Sequence, residues 1–374
     1  MIRDRREFLK KTAVGALFGM AGAASSKASQ QASNVRLPTE RAKALMDQFG
    51  LKYPIFEAPH GRQTSPELAI AVSNAGAMGA LAGLGKPDDA RVAVSKVRSA
   101  TKGPFFVNFL LATVPMSGSE PAPLRAVLDA GAPVIQFSWG VPSKEAVAAI
   151  RAAGAKMGIQ VTSQESARAA LDLGADYLVC QGTEAGGHVQ ATRGLYEALP
   201  MVLQEARGKP VVASGGIGNG QGIRDALLNS ASAAMLGTRF VATLESNAPL
   251  EYKRAIISAH AGDTALTICF QDGWPAMHRA LRNRTFVMWD ASGCPPPGKR
   301  PGENDVLLNR PDGSNVRRYW YQSPVSGEQG HITDCALYAG QSVEVVKDLP
   351  DAGELVRRLW RECNAAPAPV SPRS

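Results

Sequence analysis

Residues Tyr177 to His188 read Y-L-V-C-Q-G-T-E-A-G-G-H. Four apolar residues stop at Gln181-Gly182, and a polar, glycine-rich turn then delivers one histidine, His188. A short buried strand ending in an exposed loop is where α/β proteins place chemistry, because the strand is rigid and the loop is accessible. Gly186 and Gly187 let the backbone turn at positive φ or approach a ligand closely. Taken alone, the stretch is equally an ordinary strand-to-helix turn with a surface histidine, so the surrounding chain decides.

On both sides of this stretch, short apolar runs alternate with amphipathic ones. Strands are expected at 54–58, 78–81, 105–110, 134–137, 156–161, 177–180, 211–214 and 233–236. Helices are expected between them at 65–75, 88–99, 122–130, 143–153, 164–173, 196–206 and 220–229. Several helices open on Ser, Asp or Pro and close on Gly, as caps require. Asn74-Ala75-Gly76, Ala152-Ala153-Gly154 and Leu173-Gly174 each read as a helix end whose glycine turns the chain toward the next strand. Parallel strands need crossover helices, so the alternation implies an α/β fold with a parallel sheet. Eight strands favour a closed (β/α)8 TIM barrel. An open sheet is the alternative, weakened because Ala58-Pro59-His60-Gly61-Arg62 follows the first strand where a dinucleotide fold would carry G-x-G-x-x-G.

The ends of the chain read differently. Residues 1–28 carry Arg5-Arg6 followed by a short, glycine-rich apolar run and small residues, the plan of a twin-arginine export signal. Asp4 stands where Ser or Thr is more usual. The run is too short for a membrane span, and the expected location is periplasmic or exported, through the twin-arginine translocation machinery. That route serves proteins folded around a cofactor before export. The leader holds six Lys or Arg and two acids, half of the chain's net charge of +8. The remaining basic residues form no cluster with aromatic interleaving, which gives a nucleic-acid role no support, while a mildly basic surface favours small anionic substrates. The five cysteines have no CxxC spacing, so a metal or redox centre is not expected. A Cys294–Cys335 or Cys269–Cys294 disulfide stays open, and Cys180 reads as a buried small hydrophobe. Residues 29–270 are assigned to the barrel and 271–335, rich in Pro, Gly, Asn and Arg, to an irregular insert or lid. Residues 336–364 are assigned to a segment packing back through a helix at 352–363, and 365–374 to a disordered tail.

In a barrel the strand C-termini open onto one face. Those ends supply Ala58-Pro59-His60, Asn108, Gln136, Gln160, Gln181 to His188, Ser214-Gly215-Gly216 and Gly237-Thr238. Amides, hydroxyls and glycines suit a neutral hydrogen-bonding ring and a phosphate better than a metal, and no Asp/Glu/His cluster has ligand spacing. The Gly-rich loops after the seventh and eighth strands are the usual phosphate position, with backbone N–H groups and a helix N-terminus aimed at the anion.

On these residues the sequence resembles the nitronate monooxygenase family. The matching runs are Pro54-Ile55-Phe56-Glu57-Ala58-Pro59, Val107-Asn108, Gln181 to His188, Ser214-Gly215-Gly216-Ile217, Leu236-Gly237-Thr238-Arg239-Phe240 and Tyr338-Ala339-Gly340-Gln341-Ser342. The resemblance covers most of residues 45–360. It implies FMN as cofactor, held by the residues around Ala58-Pro59-His60, Asn108, Gln181, Gly186-Gly187, Ser214-Gly215-Gly216, Met235-Leu236-Gly237-Thr238 and Gln341. It also implies oxidation of nitronates or nitroalkanes by O2, with His188 as catalytic base or anion stabiliser, a role suited to a group that titrates near neutrality.

Two positions depart from the family: His60 replaces a usual Met, and Gln190 replaces a Gly common two places after the histidine. His60 is either a second acid/base or a loop filler. His278 and His331 read as surface or lid residues, and His260 as the end of a helix. Two other functions stay open: an NAD(P)H-dependent flavin reductase of the enoyl-thioester or quinone type, and an exported flavin- or ligand-binding protein without turnover. A phosphate-sugar enzyme without flavin remains behind these. Export favours the oxidase, because reduced pyridine nucleotides are scarce outside the cytoplasm.

Overall fold

The side chain of Thr39 caps helix α1 (Glu40–Phe49), which ends at Gly50 with φ +68. The computed structural model describes residues 36–83, 86–111 and 122–367, and the architecture is that of the unit 38–366. The leader at 1–28 and the tail from 368 lie outside the described residues. In chain order there follow β1 (Ile55–Glu57), α2 (Pro66–Ala75), β2 (Gly79–Ala82), α3 (Pro87–Ala100), β3 (Phe105–Leu110), α4 (Ala122–Asp129), β4 (Val134–Ser138) and α5 (Lys144–Ala152). Next come β5 (Lys156–Val161), α6 (Gln164–Asp172), β6 (Tyr177–Gln181), the short β7 (Gly187–His188), α7 (Leu195–Glu205), β8 (Val211–Ser214), α8 (Gly220–Leu228) and β9 (Ala233–Leu236). The helix-opening serines Ser65 and Ser143 each accept a backbone N–H of their helix, and so do Ser163 and Asn219, each one residue before an expected helix start. Gly76, Gly154 and Gly174 lie at φ +94, +70 and +82, which fits their place at helix ends.

Eight strands form one parallel sheet in the order β1-β9-β8-β6-β5-β4-β3-β2. Its two edges meet at a parallel bridge between Phe56 and Met78, where Met78 N donates to Ile55 O and Glu57 N to Met78 O, both at 2.9 Å. The sheet is therefore a (β/α)8 barrel whose seventh and eighth strands are β8 and β9. Phe56, Phe106, Tyr177, Val179, Val212 and Met235 fill its interior, and Leu45 of α1 joins the same cluster. Helix α1 was not expected, because the regular alternation begins only at residue 53. Burial of Leu45 against the barrel core explains why these residues are helical.

The chain after the barrel is more ordered than its composition suggests. It forms α9 (Thr238–Val241), α10 (Leu250–Ser258), β10 (Thr264–Thr267), β11 (His278–Leu281), α11 (Arg284–Ala291), β12 (Val306–Asn309), β13 (Asn315–Arg317), β14 (Gln329–Gly330) and α12 (Ala352–Ala365). Strands β13-β12-β14 make an antiparallel sheet inside the stretch read as an irregular insert or lid. Its hairpin turn, Asp312-Gly313, was a legible signal. Strands β10-β11-β7 make another sheet, so the late segment pairs directly with the loop that carries His188. Glu328, with its side chain 1% exposed, accepts from Arg62 at 2.8 Å and Arg310 at 2.9 Å, tying this segment to the loop after β1. All five cysteines are free thiols, so neither Cys294–Cys335 nor Cys269–Cys294 is joined. Helix α12 packs against α8 so closely that a Cβ on Gly220 would lie 2.2 Å from Glu362 Cβ.

Candidate active site

A cavity of about 1190 Å³ opens at the C-terminal ends of the barrel strands. That exceeds the ~300–1,000 Å³ of ordinary small-molecule sites, leaving room for a cofactor and a substrate together. Its wall brings together Ala58, Pro59 and His60 from the loop after β1, Asn108 from β3, Gln181 at the end of β6, and Gly186, Gly187 and His188 after it. Ser214, Gly215 and Gly216 after β8, and Met235, Gly237 and Thr238 at β9, complete the set. Two expected residues fall outside it. Leu236 is fully buried, because strand alternation turns it away from the face that Met235 presents. Gln341 is exposed, and its backbone N–H is spent on Glu184 O at 3.0 Å. Its neighbour Ser342 lines the cavity instead.

Several side chains in and around this wall also hold it together from within. Gln181 uses both ends of its amide on the following loop: Nε2 donates to His188 O at 3.2 Å and Oε1 accepts from Gln190 N at 2.9 Å. Asn108 is embedded in a buried chain in which Tyr177 Oη donates to Gln136, Gln136 Nε2 donates to Asn108 Oδ1, and Asn108 Nδ2 donates to Ser138 Oγ. Glu184 is a cap for α7, accepting from Leu195 N at 3.0 Å. The N-terminus of α8 is closed from within, by Glu362 on Gly220 N and Asn219 on Gly222 N, both at 3.0 Å. The Gly220 and Gly222 N–H groups at that helix start are therefore already taken. Gly215 and Gly216, at φ +123 and +69, have no backbone partner for their N–H groups among the described residues.

His188 is half-buried on β7 within a ring of aromatic side chains. Trp274 lies 4.5 Å from it between ring centroids, His278 4.6 Å, Tyr338 5.3 Å and Tyr321 6.0 Å. Its Nε2 is sealed from solvent with no hydrogen-bond partner, and burial lowers its pKa from 6.5 to about 4. His188 is thus a neutral imidazole at pH 7.

His278, read as a surface or lid residue, is completely buried. It stands directly opposite His188 across the β7–β11 pair and stacks on Tyr338 with the ring planes 7° apart. Neither of its ring nitrogens has a hydrogen-bond partner, although the Ala276 carbonyl lies nearby and slightly favours the charged form. Burial first, and then the His188 ring, push its pKa down to about 3. Nothing local in Met277-His278-Arg279 announces this; the burial arises from pairing with a loop ninety residues earlier. His331 is exposed, and His260 is exposed and faces Glu344 at 3.3 Å.

His60 sits on the other side of the cavity. Its Nε2 lies 2.9 Å from Gly237 O, and a carbonyl only accepts, so Nε2 carries the proton. Its Nδ1 then faces Glu57 Oε1 at 3.9 Å, too far for a hydrogen bond. Both of those atoms are buried without partners. Burial lowers the His60 pKa to about 4. It raises that of Glu57 well above the usual carboxylate range, against one opposing hydrogen bond from Ala80 N. Among the described residues no group of His, Cys, Asp or Glu could hold a metal ion, and no helix is long and apolar enough to cross a membrane.

Comparison with known proteins agrees with this geometry. The sequence pattern of the nitronate monooxygenase family matches residues 42–362. A nitronate monooxygenase of Pseudomonas aeruginosa is 33% identical over 361 residues, spanning 84% of this chain and 97% of the relative. The structure of nitroalkane oxidase from Streptomyces ansochromogenes superposes with a TM-score of 0.68 at 33% identity, over 86% of this chain and 98% of that one. FabK of Thermotoga maritima superposes with a TM-score of 0.70 at 26% identity, over 86% and 96%.

Proposed function

The chain belongs to the nitronate monooxygenase family and is an oxidoreductase acting on nitro compounds; from that premise we propose that it is FMN-dependent and oxidises nitronates with O2, using His188. The observation that carries this reading is the placement of a neutral, partner-free imidazole in a cavity large enough for cofactor and substrate. The wall fits a flavin: it is amide, hydroxyl and glycine in character. The unpaired N–H groups of Gly215 and Gly216 form the kind of backbone cradle that takes a phosphate. Gly215, Gly216, Gly237 and Thr238 would hold the phosphate end, and Ala58, Pro59 and Gly186 would flank the ring. Bound there, FMN would accept electrons from the substrate and deliver them to oxygen.

The protein's own part follows from the state of His188. A base whose conjugate acid has a pKa of about 4 is poorly matched to removing a proton from a neutral carbon acid. A substrate that arrives already ionised avoids that step, which favours the nitronate over the nitroalkane. A nitronate beside His188 reverses the electrostatics, because an adjacent anion favours the imidazolium. His188 then takes up a proton as the anion binds and holds the nitro oxygens by a charge-assisted hydrogen bond. Export through the leader at 1–28 belongs to the same proposal.

The test is an anaerobic visible spectrum of the purified protein, titrated with an alkyl nitronate and separately with NADH and NADPH. A yellow protein bleached by nitronate and recoloured by air is the expected result. Bleaching by a pyridine nucleotide alone would replace the oxidase with the reductase, and a colourless folded protein would remove the flavin.

A further inference from the structure

Trp139 and Gln190 have no part in the reading above, and they belong together. Trp139 directly follows β4 at the cavity rim with φ +65, a left-handed conformation that bulky residues rarely adopt. Gln190 holds it there. The Gln190 Oε1 accepts from Trp139 N and from Gln160 Nε2, each at 3.2 Å, while its own N–H donates to Gln181 Oε1. The Gln190 side chain thus ties together the ends of β4 and β5, and its backbone N–H ties both to the end of β6. A glycine at 190 would keep the backbone bond to Gln181 but lose both side-chain contacts, to Trp139 N and to Gln160 Nε2.

The strained turn builds an aromatic wall. The Trp139 ring meets Trp274 edge-on at 5.3 Å, and Trp274 continues to Tyr321 at 6.2 Å and to His188 at 4.5 Å. Tyr338 closes the other side, its hydroxyl donating to Tyr321 O. Trp139, His188, Tyr321 and Tyr338 all line the cavity. Aromatic rings pair best edge-to-face or offset, with centroids 4.5–7 Å apart. A short alkyl chain leaves most of such a wall in water, whereas a planar aromatic group covers it. None of these rings carries a charge, so a cationic guest would find no counter-ion among them.

We propose that this wall selects nitro substrates bearing an aromatic ring next to the reacting carbon, with Trp139 as the specificity-determining residue and Gln190 as the residue that positions it. The proposal rests on the nitronate reading for the reacting group. The ring preference stands on the wall alone, so it can be tested without turnover.

The experiment measures binding of phenylacetate and propionate to the flavin-loaded protein by calorimetry. Both are planar carboxylates that copy the two nitronate oxygens and resist oxidation. The wild type is expected to bind phenylacetate roughly tenfold or more tighter than propionate, the size of effect that aromatic pairing and added ring burial give. Trp139→Ala should collapse that ratio by about fivefold or more. Gln190→Gly should lower it in the same direction with the flavin spectrum unchanged, and Trp139→Phe should restore part of it if the alanine variant folds poorly. Equal affinities in the wild type overturn the proposal. So does a ratio that survives in both Trp139→Ala and Gln190→Gly, or loss of flavin from Trp139→Phe, which would make the ring a cofactor contact. If the preference appears but no nitronate, alkyl or aryl, bleaches the flavin, then the proposed reaction fails while the aromatic site stands.

Discussion

Replacing His278 by phenylalanine should make the protein less sensitive to acid. His278 has no exposed surface, and its imidazole is pushed down to about 3 by burial and by His188 opposite. The unfolded chain accepts a proton there near 6.5 and the native one refuses it. Stability is therefore lost as the pH falls below 6.5 and continues to fall until the native group itself titrates. From these two values the penalty on the native state is about 0.2 kcal/mol at pH 7 and about 1.4 kcal/mol at pH 5.5. Any native pKa below about 4 gives nearly the same figures. Wild type should therefore lose about 1.2 kcal/mol more than His278→Phe over that interval, or ~2 °C in Tm for a body of this size. The comparison isolates the titration of His278. The larger ring adds a steric cost, and the variant removes two unpartnered buried nitrogens, but both terms are independent of pH. His60 and His188 titrate in both proteins. The assay is thermal unfolding of the two flavin-loaded proteins at pH 7.0, 6.3 and 5.5, read as the difference in Tm at each pH. A difference that stays constant would refute the reasoning, because His278 would then be accepting its proton in the native state.

The proton uptake assigned to His188 makes anion binding pH-dependent: phenylacetate should bind more tightly as the pH falls from 8 to 6, and His188→Ala should flatten that slope in calorimetry while lowering nitronate turnover by at least about a hundredfold. Glu57→Gln should leave the fold intact, since Gln keeps an acceptor for Ala80 N. Because the Glu57 pKa is raised by burial, the wild type loses stability as the pH rises above 4.5 and the variant does not, so urea unfolding from pH 5 to 9 should show the gap growing in the variant's favour. Gly186→Ala would set a Cβ 2.5 Å from Gly340 N; the expected cost is about 1–3 kcal/mol, seen as lower Tm and weaker flavin retention on dialysis.

The barrel was legible because its signal is local. Each strand is a short apolar run, each helix carries its own caps, and Gly76, Gly154 and Gly174 mark helix ends within a few residues of the strand that follows. The parts that were not legible depend on long-range pairing. Strand β11 is His278-Arg279-Ala280-Leu281, with no alternation to suggest a strand, and it exists because β7 and β10 flank it. His278 could not be placed without that pairing. The same holds for Gln341: its motif marks a real structural feature, but the use of that feature is set by backbone contacts rather than by the side chain the motif displays. Gln190 was visible as a departure from the family, yet its meaning required knowing that the ends of β4 and β5 come within reach of it.

The two most recognisable motifs, Glu184-Ala185-Gly186-Gly187-His188 and Ala339-Gly340-Gln341, lie more than 150 residues apart and form one structural unit. A Cβ on Gly186 would collide with Gly340 N and Ala339 C, at 2.5 and 2.7 Å, and a Cβ on Gly340 would collide with Glu184 O and Gly186 N, at 2.7 and 2.8 Å. The two backbones therefore touch where neither tolerates a side chain. Gln341 N donates to Glu184 O, and Gly340 N donates to Thr238 Oγ1 at 2.9 Å, which joins the pair to the loop after β9. Tyr338, just before this contact, supplies the ring that stacks on His278 and borders His188. The late segment thus acts as a strap. It fixes the height of the His188 loop above the barrel and supplies part of the aromatic enclosure around the imidazole. A barrel alone would leave His188 on a solvated loop with an ordinary pKa. The strap and β11 together bury much of the ring, and that burial is what lowers the His188 pKa.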